Sequence, residues 1–379
     1  MRRNIAVFLT IIHWKGLFFM ADRAYNFAAG PAVMPLPALE KAQAELLNWH
    51  GCGMSVMEMS HRGSQFAEIH AEAKERFKRL LEVPETHDVL FLQGGATTQF
   101  SAVPLNFLGS RTAEYVVTGN FSGIAAKEAA KYGDVHIVYD GKDNGYSHIP
   151  EQSELDLIPR SAYLHYCANN TIYGTAWNYV PEPYCPLVCD MSSEIMSHPV
   201  DVGRYALIYA GAQKNIAPAG LTIVMLDRRF AGYESPETPQ IMSYQKMIEK
   251  DSMLNTPPCW CIYMLGLVLE WVENEGGVAE MDRRRHERSA LIYDVLDNSR
   301  LYKAHAERGS RSMMNVTFRT GDEDLDAEFC KGAAARGLLN VKGHRLTGGM
   351  RASLYNAMPI EGAKALAEYM KDFEVKHRV

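Results

Sequence analysis

Residues 205–226 read YALIYAGAQKNIAPAGLTIVML, two apolar runs flanking a short turn that carries one lysine, Lys214. Neither run alternates apolar with polar residues, so each predicts a strand buried on both faces, as in a parallel sheet covered by helices. The same character recurs outward in DVLFL (88–92), EYVVT (114–118), VHIVY (135–139), AYLHY (162–166) and PLVCD (186–190). Polar or helix-patterned segments separate them, and Phe66, Ile69, Ala73, Phe77 and Leu80 recur at helical spacing. The rhythm is βαβ, and the predicted fold class is α/β, with a large domain whose mostly parallel sheet lies between helices.

After Thr256-Pro257-Pro258 the character changes, and a hydroxyl cap with proline in the first turn predicts a helix to about Asn274. The charged helix MDRRRHERSALIYDVLDN (281–298) bridges to a smaller α+β unit, in which NVTFRT and RASLYN read as strands and 324–338 and 361–373 as amphipathic helices. The chain divides into an extension at 1–19, a segment 20–35 joining the small domain, a large domain 36–280 and a small C-terminal domain 281–379.

With 379 residues, 47% of them hydrophobic and 22% charged, the chain has material for sizeable cores and two domains. A net charge of -6 without long runs of one sign argues against nucleic acid as the partner and for a small-molecule ligand. Seven cysteines without a paired C-x2-C framework predict neither a disulfide scaffold nor a zinc site and fit a reducing cytoplasm. The start, MRRNIAVFLTIIHWKGLFFM, imitates a secretion signal, but His13, Trp14 and Lys15 interrupt it and no small-x-small cleavage site follows. Residues 1–19 therefore read as an upstream extension, with Met20 the natural start. The stretch 259–269 is too short and punctuated to span a bilayer and reads as a buried helix, so no membrane partner is expected.

Three strand ends belong together, because ligands in open α/β sheets sit beyond the carboxyl ends of the strands. FLQGGATTQF (91–100) leads from a strand through Gly94-Gly95 into a helix capped by Thr97 or Thr98, whose first amides form an anion cradle. It lacks the GK[ST] of a P-loop and the third glycine of a dinucleotide fingerprint. Asp190 closes PLVCD, and Lys214 follows the next apolar run. Each has an ordinary alternative: a glycine turn, a helix-capping carboxylate, a solvated lysine. Together they are the parts that pyridoxal phosphate requires, with phosphate held, ring nitrogen kept protonated and aldehyde bound by an amine. Burial near other cations would lower the lysine's pKa and make that amine reactive.

The specific segments are NFAAGPAVMP, SVMEMSHRG, GGATTQFSAVPLN, NNTIYGT, CDMSS, YAGAQKNIAPAGLTIV, NTPP and KGHRLTGGMRASLYNAM. On these, from about Tyr25 to the C-terminus, the chain resembles the phosphoserine aminotransferases, fold-type I pyridoxal-phosphate enzymes of class V. The resemblance implies transamination between L-glutamate and 3-phosphohydroxypyruvate, giving O-phospho-L-serine and 2-oxoglutarate, with 4-phosphohydroxy-L-threonine a second candidate substrate. It makes Lys214 the Schiff-base residue and proton shuttle, and Asp190 the partner of the pyridinium nitrogen. Phosphate would be held by the amides of Ala96 and Thr97, by Gln213, and by Asn255 and Thr256 of a neighbouring subunit, which implies a homodimer with shared active sites. Phe121 would stack on the ring and Thr171 would contact its hydroxyl. Arg351 would clamp the α-carboxylate, while Arg62, His344 and Arg345 would receive the phosphate or γ-carboxylate; His61 reads as a packed histidine.

Two departures stand out. Thr97 occupies a place where some relatives carry arginine, and Phe121 one where tryptophan is frequent, so a charge and an indole N–H are absent. Two other classes compete with this reading: a cysteine desulfurase-like lyase, whose mobile acceptor thiol Cys259, Cys261 and Cys330 are poorly placed to supply from helices, and a non-enzymatic binding protein, which the set Asp190, Lys214 and Arg351 opposes.

Overall fold

The computed structural model describes residues 23–377, so the expected extension at 1–19 lies outside the described residues. Seven strands form the central sheet: β1 (His87–Leu92), β2 (Ala113–Val117), β3 (Val135–Asp140), β4 (Leu164–Cys167), β5 (Leu187–Asp190), β6 (Leu207–Gly211) and β7 (Thr222–Asp227). Their order across the sheet is β1-β7-β6-β5-β4-β2-β3. All neighbours run parallel except β7, which is antiparallel to both β1 and β6. The cause is local: the connection 212–221 is shorter than the roughly dozen residues a parallel crossover needs, so the chain turns straight back.

Burial on both faces explains six of the apolar runs, whereas β3 (135–140), expected to be buried likewise, lies at the sheet's edge and is only partly covered, with Ile137 40% exposed. Val89 and Phe91 pack into one core with α1 (Ser64–Leu80), while Leu90 and Leu92 pack into a second core with α2 (Gly95–Phe107) and α3 (Asn120–Ala129). Helix α4 (Cys259–Asn274) lies against α1 on the first face. Each fully buried Val, Leu or Phe stabilises this layering by roughly 1.5–3 kcal/mol. Among the described residues no helix is long and apolar enough to cross a membrane, α4 included.

Helix α5 (Gly277–Asn298) links the first core, through Met281, to a third, through Ile292 and Leu296. That third core is built on an antiparallel sheet, β8 (Lys303–Ala304), β9 (Asn315–Arg319) and β10 (Met350–Ser353), with α6 (Glu323–Ala334) and α7 (Ile360–His377). Phe27 joins it, and Tyr25–Asn26 pairs in parallel with Leu338–Leu339. The N-terminal segment thus packs with the C-terminal unit and passes on to the edge of the large sheet.

Two helix starts differ from the sequence expectation. Helix α2 begins at Gly95 with Gly94 as its N-cap, so Thr97 and Thr98 lie inside the first turn instead of capping it. Helix α4 begins at Cys259 after Pro258, with no side-chain cap from Thr256. A residue before proline is driven out of the helical region, so Pro258 keeps Pro257 extended and the helix starts beyond both.

Candidate active site

The carboxyl ends of the parallel strands converge on one sheet edge, where the chemistry-bearing side chains collect. At the end of β1, Gly94 adopts φ 91°, and a Cβ there would collide with the Thr98 hydroxyl, so the turn requires glycine. The Thr98 hydroxyl donates back to the Gly94 carbonyl at 2.9 Å. Among the described residues no side chain caps α2, so its first amides, among them those of half-buried Ala96 and exposed Thr97, keep their donors for an anion. Leu92 lies opposite Thr222, and Thr222 opposite Gly211. Two strand spacings, about 10 Å, therefore separate the cradle from the turn bearing Gln213 and Lys214. Gln213 folds back over Gly211, where a Cβ would lie 2.8 Å from its Oε1.

Lys214 is half-buried, and its Nζ donates to the Thr171 hydroxyl at 2.8 Å. The same ammonium lies 5.3 Å from the centroid of the Phe121 ring. Gly30, at φ 135°, packs on the lysine stem, where a Cβ would stand 3.1 Å from Cγ. Burial lowers the Lys214 pKa, Asp190 and Cys167 oppose the shift, and Arg351 adds to it. Asp190 is 7% exposed. Burial raises its pKa, opposed first by Lys214, then by hydrogen bonds from Ser192 and, most weakly, Tyr209. Each charge is thus the other's counterweight in a site too dry to keep either one cheaply ionised.

Thr171 connects the lysine to the substrate side. Its carbonyl accepts from Arg351 Nη1 at 3.3 Å, while Arg351 Nε has no partner among the described residues. Burial lowers the Arg351 pKa. His344 is half-buried beside Arg351 and Arg345; burial lowers its pKa and both guanidinium groups push it further down. Its Nδ1 accepts from the Leu346 amide at 3.2 Å, so the neutral ring carries its proton on Nε2, ready to donate to an anion. Its environment thus disfavours the charged ring.

The structure therefore brings Phe121, Thr171, Asp190, Lys214 and Arg351 into one connected group, with Gln213 on the lysine turn and His344 near both Arg351 and Arg345. Arg62 is exposed on the turn before α1, and among the described residues no contact ties it to that group; neighbouring His61 is half-buried, its Nε2 without a partner among the described residues. Asn255 and Thr256 lie against the start of α2 in their own chain: Gln93 donates to the Thr256 carbonyl at 2.7 Å, and Asn255 lines a cavity of about 60 Å³ with Gln93 and Thr98. Sequence reasoning missed Ser192 and Gly30. The D-x-S spacing of 190–192 was the available signal for Ser192, since an aspartate carboxylate readily bonds the backbone two residues on.

An uncapped helix start, a buried carboxylate and a lysine amine with lowered pKa fit the three poles of a phosphorylated pyridine aldehyde. Fold and site together define a fold-type I pyridoxal-phosphate enzyme. Residues 24–366 match the family described as aminotransferase class-V, and the chain belongs to that family, among its phosphoserine aminotransferases. It is 50% identical over 355 residues to the phosphoserine aminotransferase of Laribacter hongkongensis (strain HLHK9), covering 93% of this chain and 99% of that one. A solved phosphoserine aminotransferase from Bacillus circulans subsp. alkalophilus superposes with a TM-score of 0.92 at 42% identity, over 94% of this chain and 99% of that chain. Another, the pyridoxal-phosphate-bound enzyme of Trichomonas vaginalis, gives 0.89 at 37% identity, over 92% of this chain and 100% of that chain. The protein is an aminotransferase, and its cofactor is pyridoxal phosphate.

Proposed function

We propose that the protein transfers the amino group of L-glutamate to 3-phosphohydroxypyruvate, giving O-phospho-L-serine and 2-oxoglutarate in serine biosynthesis, with 4-phosphohydroxy-L-threonine a second substrate of the same pocket. The observation that carries this reading is the line Lys214–Thr171–Arg351, which puts an anion-seeking guanidinium one residue from the reactive amine. Arg351 holds the α-carboxylate through the donors that Thr171 leaves free. Arg345 and the Nε2–H of His344 receive the distal phosphate or γ-carboxylate, with Arg62 as a further cation for that group.

Bound pyridoxal phosphate supplies an aldehyde to take the amino group and a protonated ring that draws off the negative charge developing at the substrate Cα. The amides of Ala96 and Thr97 and the side chain of Gln213 would hold its phosphate, Phe121 would cover the ring, and Thr171 would meet the ring hydroxyl. Asp190 would keep the ring nitrogen protonated. Lys214, whose burial favours the free amine, would anchor the aldehyde and would serve as the base for the proton on the substrate Cα. The lyase reading is weaker, because burial raises the pKa of the Cys259, Cys261 and Cys330 thiols, leaving no activated nucleophile among them.

The working unit in this reading is a homodimer. Asn255 and Thr256 border the α2 cradle of their own chain, and a twofold axis nearby would bring a second copy's Asn255 and Thr256 to the same phosphate. We also assign residues 20–35 and 281–379 to the small domain and 36–280 to the large one, and place the enzyme in the cytoplasm, where its seven free cysteines would stay reduced. The test is spectroscopic. Cofactor-saturated protein should lose its absorbance near about 410–420 nm on adding glutamate and regain it with 3-phosphohydroxypyruvate. An unchanged spectrum with glutamate would overturn the proposal.

A further inference from the structure

Asp190 has two oxygens, and the structure treats them differently. Oδ1 accepts from the Ser192 amide at 2.9 Å and from the Ser192 hydroxyl at 2.5 Å. Oδ2 has the Cys167 thiol at 3.9 Å, a weak donor at long range. The direction of the hydroxyl is fixed by its other partner: the Gly211 amide donates to Ser192 Oγ at 2.9 Å, and an amide can only donate, so the serine proton is left for Oδ1. Ser192 is 5% exposed, so bulk water competes little for these bonds.

We propose that Ser192 is a positioning residue: it saturates Oδ1 of Asp190 and so fixes Oδ2 as the oxygen presented to the cofactor's ring nitrogen. The inference rests on the assignment of Asp190 as the ring's partner. Gly211 ends β6 and opens the turn that carries Lys214, so one donor chain, Gly211 amide to Ser192 hydroxyl to Asp190 carboxylate, also ties the lysine turn to the carboxylate. Without the hydroxyl, Asp190 keeps the Ser192 amide bond to Oδ1 and only the weaker contacts from Tyr209 and Cys167, and can swing about χ2, meeting the ring with either oxygen or neither.

The test compares wild type, Ser192→Ala, Ser192→Thr, Asp190→Asn and the double variant Ser192→Ala/Asp190→Asn. It reads the cofactor dissociation constant and the pH midpoint of the cofactor's absorbance. Loss of a hydrogen bond to a charged group predicts about ten- to a hundred-fold weaker cofactor binding in Ser192→Ala, with a shifted midpoint. Ser192→Thr, which keeps the hydroxyl, should stay within about threefold of wild type, and Ser192→Ala should cost less than about threefold in the Asp190→Asn background. Wild-type binding and midpoint in Ser192→Ala, equal losses in Ser192→Thr, or an undiminished cost without the carboxylate would each overturn the role. A wild type that never bonds the cofactor through Lys214 would instead sink the functional reading beneath it.

Discussion

Replacing Arg351 by alanine should uncouple substrate binding from cofactor binding. Thr171 occupies one terminal nitrogen of the guanidinium, and Nε has no partner among the described residues, so the Nε–Nη2 edge is the one left for a carboxylate. Two charge-assisted bonds at that edge contribute roughly 1.5–3 kcal/mol each. Because Arg351 is half-buried and solvent screens part of the attraction, about 3 kcal/mol in total is the reasonable figure, or about 150-fold in affinity. Titrating glutamate against the absorbance of cofactor-loaded protein should show its apparent Kd rise by on the order of a hundredfold in Arg351→Ala. Arg351→Lys should recover only part, since an ammonium is a single point charge and cannot present a fork. Cofactor affinity should change little in either variant. A glutamate Kd that moves less than about threefold, or a cofactor loss larger than the substrate loss, would refute the clamp.

Gly94→Ala forces a side chain into φ 91° and against the Thr98 hydroxyl; it should cost about 1–3 kcal/mol of stability and weaken cofactor binding together, checked by thermal melting and cofactor titration. His165 is buried in hydrogen-bond contact with the Tyr209 hydroxyl at 2.8 Å, and burial lowers its pKa from 6.5 to about 3. Its folded pKa lies below its unfolded value, so its contribution to stability is present above pH 6.5 and is lost as the pH falls toward 3. Urea unfolding at pH 7 and pH 5 should show wild type losing about 2 kcal/mol more than His165→Gln; equal losses would mean that the buried ring is not the acid-sensitive group.

Most of the large sheet was legible because strands buried on both faces cannot hide their apolar content, but the run at 221–226 was read with the parallel strands, and the brevity of 212–221, which reverses β7, was passed over. Asp190 was legible as a polar residue ending such a strand, and Lys214 as one in the turn just beyond another. The helix starts were not read correctly: a left-handed glycine outweighed the threonine hydroxyls at 97–98, and paired prolines outweighed Thr256. Gly30 acts through a contact with a segment remote in sequence, which no local pattern reports, whereas Ser192 was signalled by the D-x-S spacing and passed over. The lowered pKa of His344 follows from burial and from Arg351, which only the fold brings near it, and Arg62 meets none of the site residues among the described residues.

The account stands on Lys214 as the residue that holds the cofactor covalently. Borohydride reduction of cofactor-loaded protein, followed by peptide mass spectrometry, measures this directly. The prediction is a pyridoxyl group on the peptide that carries Lys214, absent from Lys214→Ala. A pyridoxyl group on another lysine, or none on protein shown to be loaded, would contradict it.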